Sequence, residues 1–231
     1  MMNEVVIITG GTKGLGCASV KKWLAEGWNV ATCARDEADL ALLESEMNSA
    51  YLMTQALDAS DANAVHGFVE RVMSRWSRVD VLINNASVLG PRTMIEEYPE
   101  DGWREVMEIN VNGAFYFAKA VLPHMLEARS GVIINLSSGA AVAGKPRWGA
   151  YAASKFALEG FTQVLRSEVL DRGIRVHAFD PGAMQTHMRA AAYPDEDPKQ
   201  HPTPEMIARV LFDIAAIYEP TMGRLVAGEY L

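Results

Sequence analysis

Tyr151 and Lys155 stand four residues apart in the run Tyr151-Ala152-Ala153-Ser154-Lys155. A helix would put both on one face. A free phenol has a pKa of about 10 and exchanges protons poorly at neutral pH. Bringing it into range costs about 3–4 kcal/mol. One ammonium at about 4 Å, in an effective dielectric of about 20, supplies about 4 kcal/mol. Lys155 is therefore able to turn Tyr151 into a general acid or base. A lone helical tyrosine is an ordinary core residue, so the chemistry depends on its company. Upstream, Ser137 and Ser138 are rival hydroxyls for orienting a substrate oxygen.

A second feature lies near the N-terminus, in Thr9-Gly10-Gly11-Thr12-Lys13-Gly14-Leu15-Gly16. It follows an apolar strand-like run and opens a helical one. Glycine permits a tight turn and close backbone approach. The helix start offers free N–H groups and a positive dipole end to a pyrophosphate. A glycine pattern alone fits any tight turn; its place in a β-α-β unit makes it a nucleotide cradle.

The elements that must position these residues alternate. Strands are expected at Val5–Thr9, Asn29–Ala34, Tyr51–Leu57, Val79–Asn84, Gly131–Ser137 and Ile174–Asp180, with a short last one at Arg224–Val226. Helices are expected at Leu15–Glu26, Glu37–Met47, Ala62–Trp76, Asp101–Ala128 (interrupted near Asn112–Gly113), Ala150–Asp171 and Pro204–Ala216. Apolar runs without strict alternation suit strands covered on both faces. The alternation predicts one α/β domain over residues 1–231, a Rossmann-like doubly wound parallel sheet with helices on both faces. His187–Pro204 breaks the rhythm with four prolines and three acids. It is expected to be irregular and mobile, as a lid at 187–204 or a surface loop.

Composition narrows the class. The 231 residues carry a formal net charge of −8. That argues against a nucleic-acid binder and against docking on anionic membranes. Cys17 and Cys33 make no disulfide framework, and no Cys/His cluster suggests a metal. No signal peptide and no membrane-length apolar run are read. A cytoplasmic protein with reduced cysteines is expected.

The glycine spacing, T-G-x-x-x-G-x-G, resembles the short-chain dehydrogenase/reductase family. Further motifs match in order: Asn84-Asn85-Ala86, Asn110-Val111-Asn112-Gly113, Ser138, Tyr151-x-x-x-Lys155, and Pro181-Gly182 with Thr186. Two departures stand out. Ser87 replaces the family's glycine after Asn-Asn-Ala, and the C-terminus offers only Val226-Ala227-Gly228-Glu229 where the family has a glycine-paired final strand.

The resemblance implies a catalytic set of Asn110, Ser138, Tyr151 and Lys155, and its spacing favours Ser138 over Ser137. Asn110 would hold a proton-passing water, and Lys155 would also bond the nicotinamide ribose. Cofactor contacts are implied for Gly10, Thr12, Lys13, Gly14, Leu15, Gly16, Asn84, Ala86, Pro181, Gly182 and Thr186. Asp58 corresponds to the residue that bonds the adenine amine; otherwise it caps the next helix. Where the family's NAD-selecting acid belongs, this chain has Ala34, followed by Arg35. With Lys13, that makes NADP(H) the expected cofactor and NAD(H) the lesser one, since each charge-assisted hydrogen bond is worth about 1.5–3 kcal/mol. Asp36 reads as a helix cap.

A hydrophobic ketone, aldehyde or alcohol is the expected substrate, in a pocket lined by Ala140, Val142, Trp148, Val88, Leu89, Met184 and Met188. Lys145 and Arg147 read as solvated charges. One alternative is a 3-oxoacyl-[acyl-carrier-protein] reductase, with Arg129 and Arg172 attracting the carrier; both also suit helix C-termini. Another is a non-catalytic NADP-binding sensor or scaffold. The resemblance also implies a homodimer or homotetramer, with Phe115, Phe117 and Val121 in the interface or the core.

Overall fold

A computed structural model describes residues 3–216 and 224–231. Seven strands run parallel: β1 (Val5–Thr9), β2 (Asn29–Ala34), β3 (Leu52–Ala56), β4 (Val81–Asn84), β5 (Gly131–Leu136), β6 (Ile174–Asp180) and β7 (Arg224–Val226). Their order across the sheet is β3-β2-β1-β4-β5-β6-β7. The chain winds outward from β1 to β3, then returns to place β4 beside β1. That reversal opens a crevice past the carboxyl ends of β1 and β4, where ligands bind in such sheets.

Among the described residues eight helices flank the sheet: α1 (Gly14–Ala25), α2 (Glu37–Met47), α3 (Ala62–Trp76), α4 (Glu100–Met107), α5 (Gly113–Ala128), α6 (Gly149–Val169), α7 (His187–Ala192) and α8 (Pro204–Ala216). Neighbouring strand residues point to opposite faces. Val6, Ile8, Val30 and Ile134 therefore pack against α1 and α8. Val5, Ile7, Ala31 and Ile133 pack against α3, α5 and α6. Both faces are apolar because both are covered. Asp36 and Asp61 cap α2 and α3, each accepting two backbone N–H bonds. The cap of α3 is thus Asp61, and Asp58 is free of that task.

The interruption expected near Asn112–Gly113 is a five-residue π-turn at Glu108–Asn112, which runs directly into α5 at Gly113. Such wide turns often sit at functional sites. Residues 187–204 are ordered by short elements instead of irregular. Thr186 caps α7 through Arg189 N–H, and Asp197 caps a 3-10 turn at Pro198–Gln200. The density of proline and charge misleads here because the acids serve as caps and ion-pair partners.

Candidate active site

The crevice holds a cavity of about 750 Å³, walled by the glycine turn, the ends of β4, β5 and β6, the start of α6, and α7. A second cavity of about 520 Å³ adjoins it past the ends of β2 and β3. The two share Gly10, Lys13, Arg35, Ala86, Ser87 and Val88 along their border.

The glycines shape the cradle. Gly14 has φ +52°, in the left-handed region that side chains avoid. A Cβ on Gly16 would fall 2.1 Å from the Gly10 carbonyl oxygen, so no side chain fits. Gly10, Lys13, Gly14 and Leu15 line the larger cavity, and Thr12 and Asp58 the smaller. Thr9 Oγ1 accepts from the Asn85 and Ala86 N–H groups, and Asn85 Nδ2 donates to the Thr9 and Gly10 carbonyls. β1 and β4 are thereby stitched together under the turn.

Asn84 does not face the cavity. Its amide donates to Asn135 Oδ1 at 2.8 Å and to the Ala114 carbonyl, inside the protein. Its contribution is to fix β4 on β5, one layer below the expected contact.

Tyr151, Ser138 and Lys155 converge, as the four-residue spacing on α6 and the end of β5 require. Lys155 is 3% exposed and donates to the Leu136 carbonyl at 2.7 Å. Its Nζ lies 5.5 Å from the Tyr151 ring centre. Burial drives the ammonium down to about 8, against the pull of Asp180 and Glu159. Tyr151 is also buried, which raises its phenol above the ordinary value; a hydrogen bond with Ser138 lowers it, and Asp180 raises it further.

The phenol is thus higher here than the ammonium-only argument gives. Desolvation dominates the phenol, and the Lys155 hydrogen bond goes to a backbone carbonyl. Ser138 Oγ also accepts from Ala140 N–H, while Ser137 Oγ turns away to Glu159. The geometry therefore separates the two rival serines.

Asn110 is buried on the π-turn. Its Oδ1 accepts from Val88 N–H at 2.8 Å, and its Nδ2 donates to the Val88 carbonyl and to Ser154 Oγ. The amide is spent on protein groups, so it braces the loop after β4 against α6 and does not line either cavity.

Asp180, Glu159 and Arg224 were not singled out from sequence. Asp180 is 6% exposed at the end of β6. An acid ending an apolar strand, and Glu159 one turn after Lys155, were the available signals. Arg224 had none, standing far from all of them in sequence.

Cations flank the adenosine side. Lys13 pairs with Asp39 at 2.5 Å, and Arg35 with Glu105 at 3.1 Å. Exposed pairs like these are worth about 0–1 kcal/mol and exchange readily for a stronger anion. Asp36 is occupied as a helix cap.

Opposite them, Trp148 meets Tyr151 edge-on at 5.6 Å and Tyr193 at 5.9 Å. The Arg92 guanidinium lies 4.8 Å from the Trp148 ring and 5.0 Å from the Tyr193 ring, and donates to the Ala192 carbonyl. Arg189 stacks on Tyr193 and forms a two-pronged pair with Glu196, which His201 also approaches. Val88, Leu89, Ala140, Trp148, Met184 and Met188 line the cavity as expected. Val142 does not; it is 63% exposed to solvent. Lys145 does line it, contrary to the reading of a purely solvated charge.

Over residues 4–197 the chain matches the short chain dehydrogenase family. The protein belongs to that family of nucleotide-cradling α/β proteins. Among its relatives is the uncharacterised oxidoreductase YciK of Escherichia coli K12, 32% identical, spanning 96% of this chain and 86% of YciK. The 3-oxoacyl-[acyl-carrier-protein] reductase FabG of Thermotoga maritima is 32% identical, spanning 80% of this chain and 76% of FabG. A short chain dehydrogenase from Shigella flexneri, crystallised with NADP, superposes with a TM-score of 0.90 at 30% identity, covering 98% of each chain.

The buried ammonium generates a stability prediction. An unfolded lysine keeps its proton to about 10.5, the folded Lys155 only to about 8. The unfolded state binds the extra proton, so the penalty is fully present below pH 8 and fades as pH rises toward 10.5. Lys155→Met is expected to stabilise the protein at neutral pH by about 1–2 kcal/mol, with the gain shrinking at high pH. Denaturant midpoints at the two pH values check this.

Proposed function

We propose that this protein is an NADPH-dependent carbonyl reductase, run in reverse as an alcohol dehydrogenase, with Tyr151 as its general acid/base. The observation that carries the reading is the convergence of Tyr151, Ser138 and the buried Lys155 at the wall of a cavity that begins at the glycine turn.

The residues present fit a dinucleotide. Gly10, Thr12, Lys13, Gly14 and Leu15 would take the pyrophosphate and adjoining ribose, with Gly16 keeping the approach open. Asp58 lines the smaller cavity where an adenine amine would lie, and Ala86, Pro181, Gly182 and Thr186 line the path toward the nicotinamide. Lys13 and Arg35 favour a 2′-phosphate, and the NADP complex of the Shigella flexneri relative supports that choice. When bound, NADPH supplies a hydride to the carbonyl carbon.

The chain's own part is the proton. Ser138 O–H donates to the substrate oxygen and orients it. The Tyr151 O–H passes its proton to that oxygen as negative charge develops there. Lys155 stabilises the phenolate left behind, and Tyr151 is reprotonated from solvent before the next turnover. In the oxidative direction the same groups remove the alcohol proton. Asn110 keeps α6 at the depth that aims these groups.

The substrate wall is mainly apolar, with Trp148 and Tyr193 as its broad surfaces. That suits a hydrophobic ketone or aldehyde over a sugar. Residues 187–204 serve as the lid, latched by Arg92 across Trp148 and Tyr193. Relatedness to FabG favours an acyl thioester as a second substrate class. The arginines that would attract a carrier do not support it. Arg129 and Arg172 flank the starts of β5 and β6, at the end of the sheet away from the cavity. The exposed aromatics Phe115 and Phe156 on α5 and α6 support a homodimer or homotetramer, whereas Phe117 and Val121 belong to the core. The unpaired Cys17 and Cys33 suit a cytoplasmic setting.

Turnover is followed as loss of NADPH absorbance against ketones, aldehydes, quinones and an acetoacetyl thioester. Tyr151→Phe is expected to lower kcat by at least about a thousandfold while NADPH still binds; a retained rate refutes the proton role. NADPH binding with silence across the whole panel would instead favour a sensor or scaffold.

Arg35→Ala should raise KM for NADPH by roughly tenfold and leave KM for NADH nearly unchanged. Equal effects on both would remove the 2′-phosphate assignment. Arg92→Ala should raise KM for the carbonyl by roughly tenfold through loss of the cation–π latch, without changing NADPH affinity.

A further inference from the structure

The last strand of the sheet reaches back into the site. Arg224, the first residue of β7, donates through Nη2 to the backbone carbonyl of Ser138 at 2.8 Å and to Asp180 Oδ2. Its Nε donates to Glu159 Oε1 at 3.0 Å. Glu159 in turn accepts from Ser137 Oγ, and Asp180 Oδ1 accepts from Gly182 N–H at 2.9 Å. One guanidinium therefore joins the segment after β5, the end of β6, the start of β7 and α6.

This is more than a strand-edge ion pair. Both carboxylates are largely buried, with side-chain exposures of 14% for Glu159 and 8% for Asp180. Removing a buried partner strands the remaining charge, so such a network is costly to break. Two of its contacts touch the proposed chemistry. The Ser138 carbonyl sets the path of the backbone that presents the Ser138 hydroxyl. The Asp180 carboxylate lines the same cavity as Tyr151 and Lys155 and acts on both, the two groups whose protons the proposed reaction uses.

We infer that Arg224 is a positioning residue of the reaction: it fixes the Ser138 backbone and sets how much of the Asp180 and Glu159 negative charge reaches Lys155 and Tyr151. The inference rests on the carbonyl-reductase reading for its role in turnover, and on this structure alone for its effect on Lys155.

The charged and titratable groups around Lys155, among the described residues, come from three elements. Tyr151 and Glu159 lie one turn away on either side along α6, Asp180 comes from β6, and Arg224 from β7. The end of β5 adds the neutral Leu136 carbonyl, the segment after it the two serines, and the π-turn neutral Asn110. Asp180 and Glu159 hold the lysine proton on, and Asp180 holds the phenol proton on. Their counter-ion is Arg224.

The sign of each substitution follows. Asp180→Asn keeps the shape and the Gly182 contact but removes a negative charge. Lys155 should then release its proton at lower pH, and the high-pH limb of NADPH-dependent reduction should move down. Arg224→Met leaves two carboxylates without their cation, so the same limb should move up, and kcat at neutral pH should fall about tenfold as Ser138 loses its brace. The double variant should return the limb toward the parent position.

The test reads two signals. The first is the titration of Lys155 Nζ by ¹⁵N-lysine NMR in protein without nucleotide, assigned with Lys155→Met. The second is the pH profile of carbonyl reduction. Shifts of opposite sign in the two single variants, each of at least about half a pH unit, support the inference. A uniform loss of rate with both signals unmoved, or shifts of the same sign, overturns it.

If Arg224→Met does not fold, Asp180→Asn must still lower the Lys155 titration, and an unmoved titration overturns the inference. The NMR signal needs no turnover. A moved titration in a protein that reduces no carbonyl would reject the carbonyl-reductase reading and leave the network in place.

Discussion

The structure turns on a lysine that is almost wholly buried at the wall of the cavity. Keeping a charge at Lys155 costs stability, and among the described residues its ammonium donates a hydrogen bond to the Leu136 carbonyl. Everything around it follows from that expense. α6 must enter at a depth that buries its first turns, β5 must end where its carbonyl can accept, and acids must stand within range. Asn110 and Ser154 hold α6 there from one side, and Asp180 and Glu159 answer the charge from the other. A fold selected for stability alone would put a methionine at this position.

The sheet order makes this possible. Because β4 returns beside β1, the glycine turn and the end of β5 face the same crevice with only one strand between them. The glycine turn and the group Ser138, Tyr151 and Lys155 then line one cavity. Trp148 and Tyr193, in ring contact with each other, form the third wall. One wall is made by backbone and glycine, one by the buried side chains of Tyr151 and Lys155, and one by aromatic rings in edge-on and tilted contact.

How much of this was legible depended on range. Periodicity and short motifs act over a few residues, so the strands, the caps at Asp36, the turn at Gly14–Gly16 and the pair Tyr151/Lys155 could be read directly. The choice of Ser138 needed the family spacing, and the geometry explains it, since Ser137 faces Glu159. What could not be read was pairing across the sheet. Nothing near Arg224 announces that it will meet Asp180, and nothing near Arg92 that it will lie between Trp148 and Tyr193. The order of residues 187–204 was not read because prolines and acids look like loop until their caps and ion pairs are seen. The raised phenol was missed because the lysine's attraction is local arithmetic, whereas burial is a property of the whole fold.

The most direct measurement is the ionisation of the Tyr151 phenol, taken as the ultraviolet difference between the parent protein and Tyr151→Phe across pH. Without nucleotide the phenol should ionise above its ordinary value of 10.0, as burial dictates. With NADP⁺ bound, the added positive charge beside Lys155 should bring it below that value. A phenol that titrates at the same pH in both states would contradict the proposal that Tyr151 is the acid/base of a hydride-transfer site.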